Sequence, residues 1–259
     1  MHVGIKIFIC RIFDHYRKED IAIAIYGIKM KRIAIIAAYL YGGGAERAAG
    51  LLSKYLNGIY EVYLFLTDIK HIVYGYGGIL VDVGIEGPDY FEYYIGLYKE
   101  RYKIDCAISF TEQFNFANIK TRKNEKVIIS ERCVQSLLED PLCHEDYQVR
   151  ALYDMADSVV SVAEGVKYDL IHSYGIDKDR IKTIYNFIDQ EDIRKKADLE
   201  EQIDRKDFLE GHKLAVNIGR LEKQKDQKRL IKSVRTLSTG AKRCETADHR
   251  EWFVGKGIN

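Results

Sequence analysis

The sequence predicts an α/β fold built on a doubly wound parallel sheet, and two observations support this fold class. Apolar runs of strand length alternate along the chain with segments in which apolar residues recur at helical spacing. The apolar runs are continuous, which is typical of parallel strands that helices cover on both faces. The first run, residues 33–38, precedes Gly42-Gly43-Gly44 and a helical pattern over residues 45–56. The chain therefore opens with a strand, a glycine turn and a helix.

The same alternation continues as far as residue 185. Further strands are predicted at residues 62–66, 79–83, 106–110, 126–130, 158–162 and 181–185. Further helices are predicted at residues 90–102, 112–120, 147–156 and 166–174. Gly175 follows the last helix, and glycine is common just past helix ends. This order indicates a Rossmann-like sheet, and ligands bind such sheets beyond the carboxyl ends of the strands.

The composition changes after this alternation. Of the 24 residues from 189 to 212, 14 are charged, which predicts a solvated helical connector. Residues 213–218 form a new apolar run and helical spacing returns at 230–237, whereas residues 238–259 show neither pattern. We expect a first domain at residues 30–188 and a connector at 189–212. Residues 213–259 are expected to form only the first βα unit of an incomplete second Rossmann-like domain, because a domain typically has about 50 residues or more.

Charge and composition exclude several classes of protein. With 40 basic and 39 acidic residues, the net charge is +1, without the basic excess of a dedicated nucleic-acid-binding protein. No apolar run approaches the ~20 residues that span a bilayer, and the first residues lack the pattern of a signal peptide. The 5 scattered cysteines fit reduced thiols better than a disulfide framework. We therefore expect a cytoplasmic location and no nucleic-acid partner.

Two segments have features of phosphate-binding loops. The three glycines allow close approach of the backbone to a ligand, and the helix after them presents free N–H groups; a tight turn without a ligand is the alternative. Arg47 stands where the dinucleotide fingerprint has its third glycine, so an NAD-dependent oxidoreductase is the weaker hypothesis. Arg220 and Lys225 follow the predicted strand at 213–218. Two such cations suit a diphosphate, with a solvated loop as the alternative.

Metal-binding patterns are weak in this sequence. Asp177-Lys178-Asp179 has the D-x-D spacing of metal-dependent transferases, but its place between a predicted helix and a predicted strand favours a solvated turn. Cys133, Cys143 and His144 lack the closely spaced pairs that are typical of zinc sites. We therefore expect no metal site.

Five segments occur in order between Lys31 and Leu237: GGGAERAAGLL, ISER, ADSVVSVAEGVKYDLI, IKTIYNFID and NIGRLEKQKDQKRLI. Together they resemble the glycosyltransferases of the GT-B fold, and within them glycosyltransferase family 4. The resemblance implies two Rossmann-like domains that face each other across a cleft, with residues 30–188 as the acceptor-side domain. It also implies transfer of a sugar from a nucleotide-sugar donor to an acceptor, with retention of the anomeric configuration.

The resemblance also implies roles for individual residues. Arg220 and Lys225 would bind the donor diphosphate and act in catalysis, because preplaced cations stabilise the charge that develops on the leaving group. The substrate-binding residues would be Gly43, Gly44, Glu131, Arg132 and Asn186, which all follow or end predicted strands. A structural salt bridge between Glu131 and Arg132 is the alternative for that pair. No cofactor or metal is implied, since the nucleotide sugar is itself the substrate.

Three departures from the family pattern lead to further expectations. No acidic motif with two glutamates seven residues apart follows Lys225, Asp226 replaces a common glycine, and residues 1–29 precede the resemblance. We therefore expect a truncated chain of little activity, with Met30 as the natural family start and residues 1–29 as an extension.

The resemblance points to surface-polysaccharide biosynthesis with a glycan or lipid-linked acceptor, and hence to peripheral contact with the inner face of a membrane. The alternative function is a non-catalytic or split-subunit acceptor-binding chain, with the donor domain on a partner chain.

Overall fold

The computed structural model describes residues 30–137, 146–197, 217, 219 and 225–240, with side chains except at 88, 146–148, 196 and 235–240. The chain divides into two compact units, residues 1–188 and residues 189–259, and each is described by itself. Residues 1–29, Arg220 and most of the predicted strand at 213–218 lie outside the described residues.

The described part of the first unit alternates strands and helices throughout. Its strands are β1 (Arg32–Ala37), β2 (Glu61–Leu66), β3 (Ile79–Asp82), β4 (Cys106–Phe110), β5 (Lys126–Glu131), β6 (Ser158–Ser161) and β7 (Ile181–Thr183). Its α-helices are α1 (Gly44–Leu56), α2 (Phe91–Arg101), α3 (Glu112–Lys120), α4 (Asp146–Tyr153) and α5 (Glu164–His172). Short 3₁₀ turns occupy Pro88–Tyr90, Gln135–Leu137 and Lys178–Arg180.

The strands form one parallel sheet of seven strands in the order β3-β2-β1-β4-β5-β6-β7. The chain builds outward from β1 to β3 and then returns to the other side of β1 at β4. The fold is therefore the doubly wound, Rossmann-like α/β fold that the sequence predicts. Its switch point lies between the carboxyl ends of β1 and β4, which is where such sheets bind ligands.

The central strand β1 shows why a continuous apolar run was the correct signal. Its buried side chains alternate between two layers: Ile33 and Ile35 share a core cluster with residues of α1. Ala34 and Ile36 share another cluster with residues of α2 and α3. Full burial of an isoleucine side chain contributes about 1.5–3 kcal/mol, so both faces of β1 stabilise the sheet. This packing fixes the position of the loops at the carboxyl edge.

Most predicted element ends lie within one residue of the structure, and larger differences occur at β7, α4 and α5. β7 ends at Thr183 rather than at residue 185, because its neighbour β6 ends at Ser161 and accepts one last bond, from Ile184 N–H. α4 ends at Tyr153 rather than at residue 156, because the chain turns there. α5 spans Glu164–His172 rather than 166–174, which places an acidic residue in the first turn, where the helix dipole favours it.

The described part of the second unit contains two α-helices, α6 (Gln190–Ala197) and α7 (Gln227–Gly240). The predicted connector is therefore helical over residues 190–197, and its role as a connector stays a prediction. The expectation that residues 238–259 lack helix is wrong for residues 238–240, which continue α7. These residues are Ser238, Thr239 and Gly240, which add no apolar position to the helical pattern, and this is why the sequence pattern missed them. No helix among the described residues is both long enough and apolar enough to cross a membrane.

Candidate functional site

Glycines and polar or charged residues follow the carboxyl ends of five strands in the first unit. They are Gly42, Gly43 and Gly44 after β1, Thr111 and Glu112 after β4, Glu131 and Arg132 at β5, Glu164 after β6 and Asn186 after β7. Because parallel strands end at the same edge, this set lines the carboxyl edge of the sheet, and the residues after β1 and β4 flank its switch point. We call the residues Glu112, Glu131, Arg132, Tyr153 and Asn186 the carboxyl-edge cluster.

The glycine turn brings the backbone close to a carboxylate. Gly42 has φ of 77°, which favours glycine. Gly43 is the N-cap of α1, and a Cβ at Gly43 would overlap Oε2 of Glu46. A Cβ at Gly44 would meet no heavy atom within 4 Å. The carboxylate of Glu46 therefore lies against the start of α1, where the helix dipole favours negative charge, and the space at Gly44 stays open.

Glu131 is fully buried at the end of β5, and protein groups bond to both of its carboxylate oxygens. Oε1 accepts hydrogen bonds from Gln135 Nε2 at 2.8 Å and from the backbone N–H of Arg132 at 2.9 Å. Oε2 accepts one from the Tyr153 hydroxyl at 2.6 Å. Burial raises the pKa of Glu131, and these donors oppose the rise. Its substrate-binding role stays a prediction.

Arg132 joins three strand ends. Its Nη1 donates to Ser130 Oγ at 3.2 Å, its Nη2 donates to Asn186 Oδ1, and its guanidinium lies 5.3 Å from the centre of the Phe110 ring. These side-chain partners are neutral, unlike the salt bridge to Glu131 considered from the sequence. Burial lowers the pKa of Arg132 from a very high value, so the group remains a cation. The structure thus brings together two of the predicted substrate-binding residues, Arg132 and Asn186.

Glu112 is the first residue of α3 and only 6% exposed. Its Oε2 is buried and has no hydrogen-bond partner among the described residues. Burial, reinforced by the negative charge of Glu131, raises the pKa of Glu112 to about 7. No sequence motif marks Glu112; the one available signal was its position directly after a predicted strand.

Asn115 on α3 links strands β4 and β5 to Tyr153 by hydrogen bonds. Its Oδ1 accepts a hydrogen bond from Ser109 Oγ at 2.7 Å, and its Nδ2 donates to Ser130 O at 3.2 Å and to the Tyr153 hydroxyl at 3.3 Å. The Tyr153 hydroxyl thereby accepts from Asn115 and donates to Glu131. Sequence reasoning missed Asn115 and Tyr153, because the local sequence of a helix does not show which strand ends its polar side chains contact.

In the second unit, Lys225 is exposed beside a glycine. Its Cγ lies 3.6 Å from the place of a Cβ at Gly219. Asp226 has φ of 44°, a conformation that glycine favours and aspartate tolerates. The Asp226 side chain accepts a hydrogen bond from Arg229 N–H at 3.3 Å, and its backbone oxygen accepts from the same group at 3.0 Å. The carboxylate at this departure from the family pattern therefore caps α7.

Two weaker motifs have local structural roles. Asp177 of the D-x-D segment accepts a hydrogen bond from Asp179 N–H at 3.0 Å and so caps a 3₁₀ turn. Burial raises the pKa of Cys133 to about 12, which leaves its thiol protonated and poorly nucleophilic. Within the described parts of both units, no group of three potential ligands could hold a metal ion.

The comparison with known proteins gives a relative of named activity. No family model matches the chain. The chain is 26% identical over 244 residues to N-acetylgalactosamine-N,N'-diacetylbacillosaminyl-diphospho-undecaprenol 4-alpha-N-acetylgalactosaminyltransferase of Campylobacter jejuni. The match covers 82% of this chain and 61% of the relative, so the chain spans less than two thirds of that enzyme's length.

Two solved structures show a more limited likeness. Anabaena HepE in complex with UDP-glucose has 14% identity and a TM-score of 0.45, over 61% of this chain and 44% of its own. The apo form of the lipopolysaccharide outer core galactosyltransferase WaaB has 13% identity and a TM-score of 0.42, over 61% of this chain and 46% of its own.

Proposed function

We propose that this protein is a glycosyltransferase of the family 4 type that transfers a sugar from a nucleotide-sugar donor to a lipid-linked glycan in surface-polysaccharide biosynthesis. The observation that supports the proposal is the identity of 26% over 244 residues with an enzyme whose name specifies a diphospho-undecaprenol acceptor. The proposed outcome is retention of the anomeric configuration.

The reaction breaks the bond between the anomeric carbon and the donor phosphate oxygen and forms a bond between the anomeric carbon and an acceptor oxygen. The proton of the acceptor hydroxyl passes to the departing diphosphate or to solvent. Negative charge develops on the departing nucleoside diphosphate. Lys225 and Arg220 would stabilise that charge most in the transition state, which is how preplaced cations accelerate such a step. Neither residue needs a metal for this role.

The first unit supplies groups that suit the acceptor. Arg132 is a cation held by Ser130 and Asn186 at the carboxyl edge, with no anionic side-chain hydrogen bond of its own among those described. A guanidinium binds phosphate oxygens through paired donors, and an amide binds sugar hydroxyls. Arg132 and Asn186 would therefore contact the diphosphate or the first sugar of the acceptor.

A transfer assay tests the proposal. The full chain is incubated with radiolabelled UDP-N-acetylgalactosamine, UDP-N-acetylglucosamine, UDP-glucose or UDP-galactose and with an undecaprenyl diphosphate that carries an N-acetylated sugar. We expect label in the organic extract with at least one donor, and about 10-fold less with Arg132→Lys, because lysine loses the bidentate geometry. The low rate expected from the sequence stays a prediction that the same assay tests.

The control variant in the transfer assay is Arg101→Lys. It lies on the exposed end of α2 and should transfer at the wild-type rate. Acceptor binding without sugar transfer would contradict the proposed transferase activity and favour a non-catalytic acceptor-binding chain. A folded chain that neither binds the acceptor lipid nor transfers sugar would overturn the proposed function.

A further inference from the structure

The Glu112 carboxyl group is a buried polar group without a partner. The residue is 6% exposed, and its Oε2 makes no hydrogen bond to any described residue. Such an atom costs free energy comparable to a lost hydrogen bond unless a ligand or water satisfies it. It lies at the start of α3, directly after β4, and so at the switch point of the sheet. The position is where a ligand of this fold binds.

The neighbouring groups do not satisfy Glu112. Glu131 on β5 is a carboxylate whose two oxygens already accept from Gln135, Arg132 and Tyr153. Glu112 also couples electrostatically to Cys133 after β5 and to Tyr153 on α4. Lys99 on α2 bonds to the backbone oxygen of Asn118, near the far end of α3, and is paired with Glu125. Within the cluster, the charge that acts on the pKa of Glu112 is the like charge of Glu131, and no described side chain forms an ion pair with Glu112.

The backbone before Glu112 is strained. Thr111 has φ of 73° and ψ of 153°, a conformation that is rare for a β-branched residue. Its N–H still bonds to Ser130 O at 3.2 Å, and its own oxygen accepts from Asn115 N–H at 2.9 Å. Strain of this kind costs on the order of 1–3 kcal/mol, and it clusters at ligand-binding positions. Thr111 immediately precedes Glu112, so this strain lies at the start of α3.

We propose that Glu112 binds the acceptor: its unpartnered carboxyl oxygen hydrogen-bonds a hydroxyl group of the acceptor sugar, while Tyr153 and Gln135 hold the neighbouring Glu131. This inference rests on the proposed glycosyltransferase function and names a contact within it. The hydroxyl donates to the carboxylate, and the bond is stronger to the charged form than to the neutral acid. Acceptor affinity should therefore rise as Glu112 loses its proton.

Acceptor binding as a function of pH tests this contact. Affinity of the full chain for N-acetylglucosaminyl-diphospho-farnesol is measured by calorimetry at pH 6, 7 and 8, and sugar transfer is measured alongside. For the wild type we expect affinity to rise about 5-fold or more from pH 6 to pH 8, because the pKa of Glu112 is about 7. For Glu112→Gln we expect about 10-fold weaker binding at pH 8 and no rise with pH, because an amide cannot become an anion.

The control is Glu100→Gln, on the exposed surface of α2, which should bind like the wild type at every pH. Circular dichroism establishes that each variant is folded. Wild-type binding combined with a Glu112→Gln affinity within 2-fold of wild type, or with an unchanged pH slope, would overturn the role of Glu112 while leaving the proposed function intact. Absence of both acceptor binding and transfer in the folded wild type would overturn the proposed function and this contact with it.

Discussion

Buried carboxylates lie at both ends of strand β5, and the two ends differ in the partners that these carboxylates have. Glu125, just before the strand, forms an ion pair with Lys99 at 2.8 Å from Oε1 to Nζ, and both side chains are almost completely buried. Glu131, at the end of the strand, bonds only to uncharged donors, while the carboxyl group of Glu112 nearby keeps one oxygen without a partner. The carboxylate of Glu125 is paired with a cation, which leaves no charge for a ligand to neutralise. A buried carboxyl group left open is suited to a ligand.

The pKa values reflect the same difference. Burial lowers the pKa of Lys99 to about 8, although Glu125 opposes that change. Burial and a like charge both act in one direction on Glu112 and raise its pKa to about 7. At the amino end of β5, the opposite charge of Glu125 offsets part of the cost of removing Lys99 from water. At the carboxyl end of β5, no opposite charge acts to lower the pKa of Glu112.

The largest effect on the free energy of unfolding is expected from the ion pair at the amino end of β5. Lys99→Met leaves Glu125 buried without its cation, which should lower the free energy of unfolding by about 3–5 kcal/mol. Urea denaturation at pH 7 measures the loss. The double variant Lys99→Met/Glu125→Leu should recover most of it, because an apolar pair of similar volume replaces the ion pair at little cost. A loss below about 1 kcal/mol in the single variant would show that the pair is not the stabilising contact described here.

An intermediate effect is expected from Glu112→Gln, and it depends on pH. The pKa of Glu112 is raised from 4.5 to about 7 in the folded state, so the folded protein holds the proton more tightly than the unfolded chain. Wild-type stability should therefore fall as pH rises from about 4.5 through 7 and then level off. The variant should be more stable by about 2 kcal/mol at pH 8 and equal at pH 4.

Urea denaturation at both pH values measures this difference. Glu100→Gln serves as the control and should show no difference at either pH, because its carboxylate is exposed. Equal stability of wild type and Glu112→Gln at pH 8 would mean that the charge of Glu112, at the carboxyl end of β5, is as well compensated as the charge of Glu125 at the amino end.

The smallest effect is expected from Thr111→Gly. Glycine adopts the backbone conformation of Thr111 without strain but loses more entropy on folding, so we expect a net gain of about 1 kcal/mol in the free energy of unfolding. Thr121 is the matched control, since its φ is −91° and its hydroxyl bonds to Ala117 O at 2.6 Å. Thr121→Gly should lose about 1 kcal/mol in thermal or urea unfolding. Losses of similar size at both positions would show that the Thr111 backbone stores no strain.

Most of the fold followed from local pattern. The run IAIIAA identifies β1 because a central parallel strand needs apolar residues on both faces, and the glycines after it identify the turn before α1. Predicted element ends were less accurate where a neighbouring strand sets the end. β7 ends at Thr183 because its pairing partner β6 ends there. The helical residues 238–240 were missed because serine, threonine and glycine there add no apolar residue to the periodic pattern.

The sequence by itself determined the doubly wound sheet and the strand ends that carry Arg132 and Asn186, because apolar periodicity and turn residues act over short distances along the chain. Only the tertiary structure decided that Tyr153 and Gln135 would hold the Glu131 carboxylate and that Glu112 would be left with an unpartnered oxygen. Burial and hydrogen bonding depend on groups far apart in the chain, 22 residues from Glu131 to Tyr153. The pKa of a carboxyl group is therefore a property of its packed surroundings, which no local motif encodes.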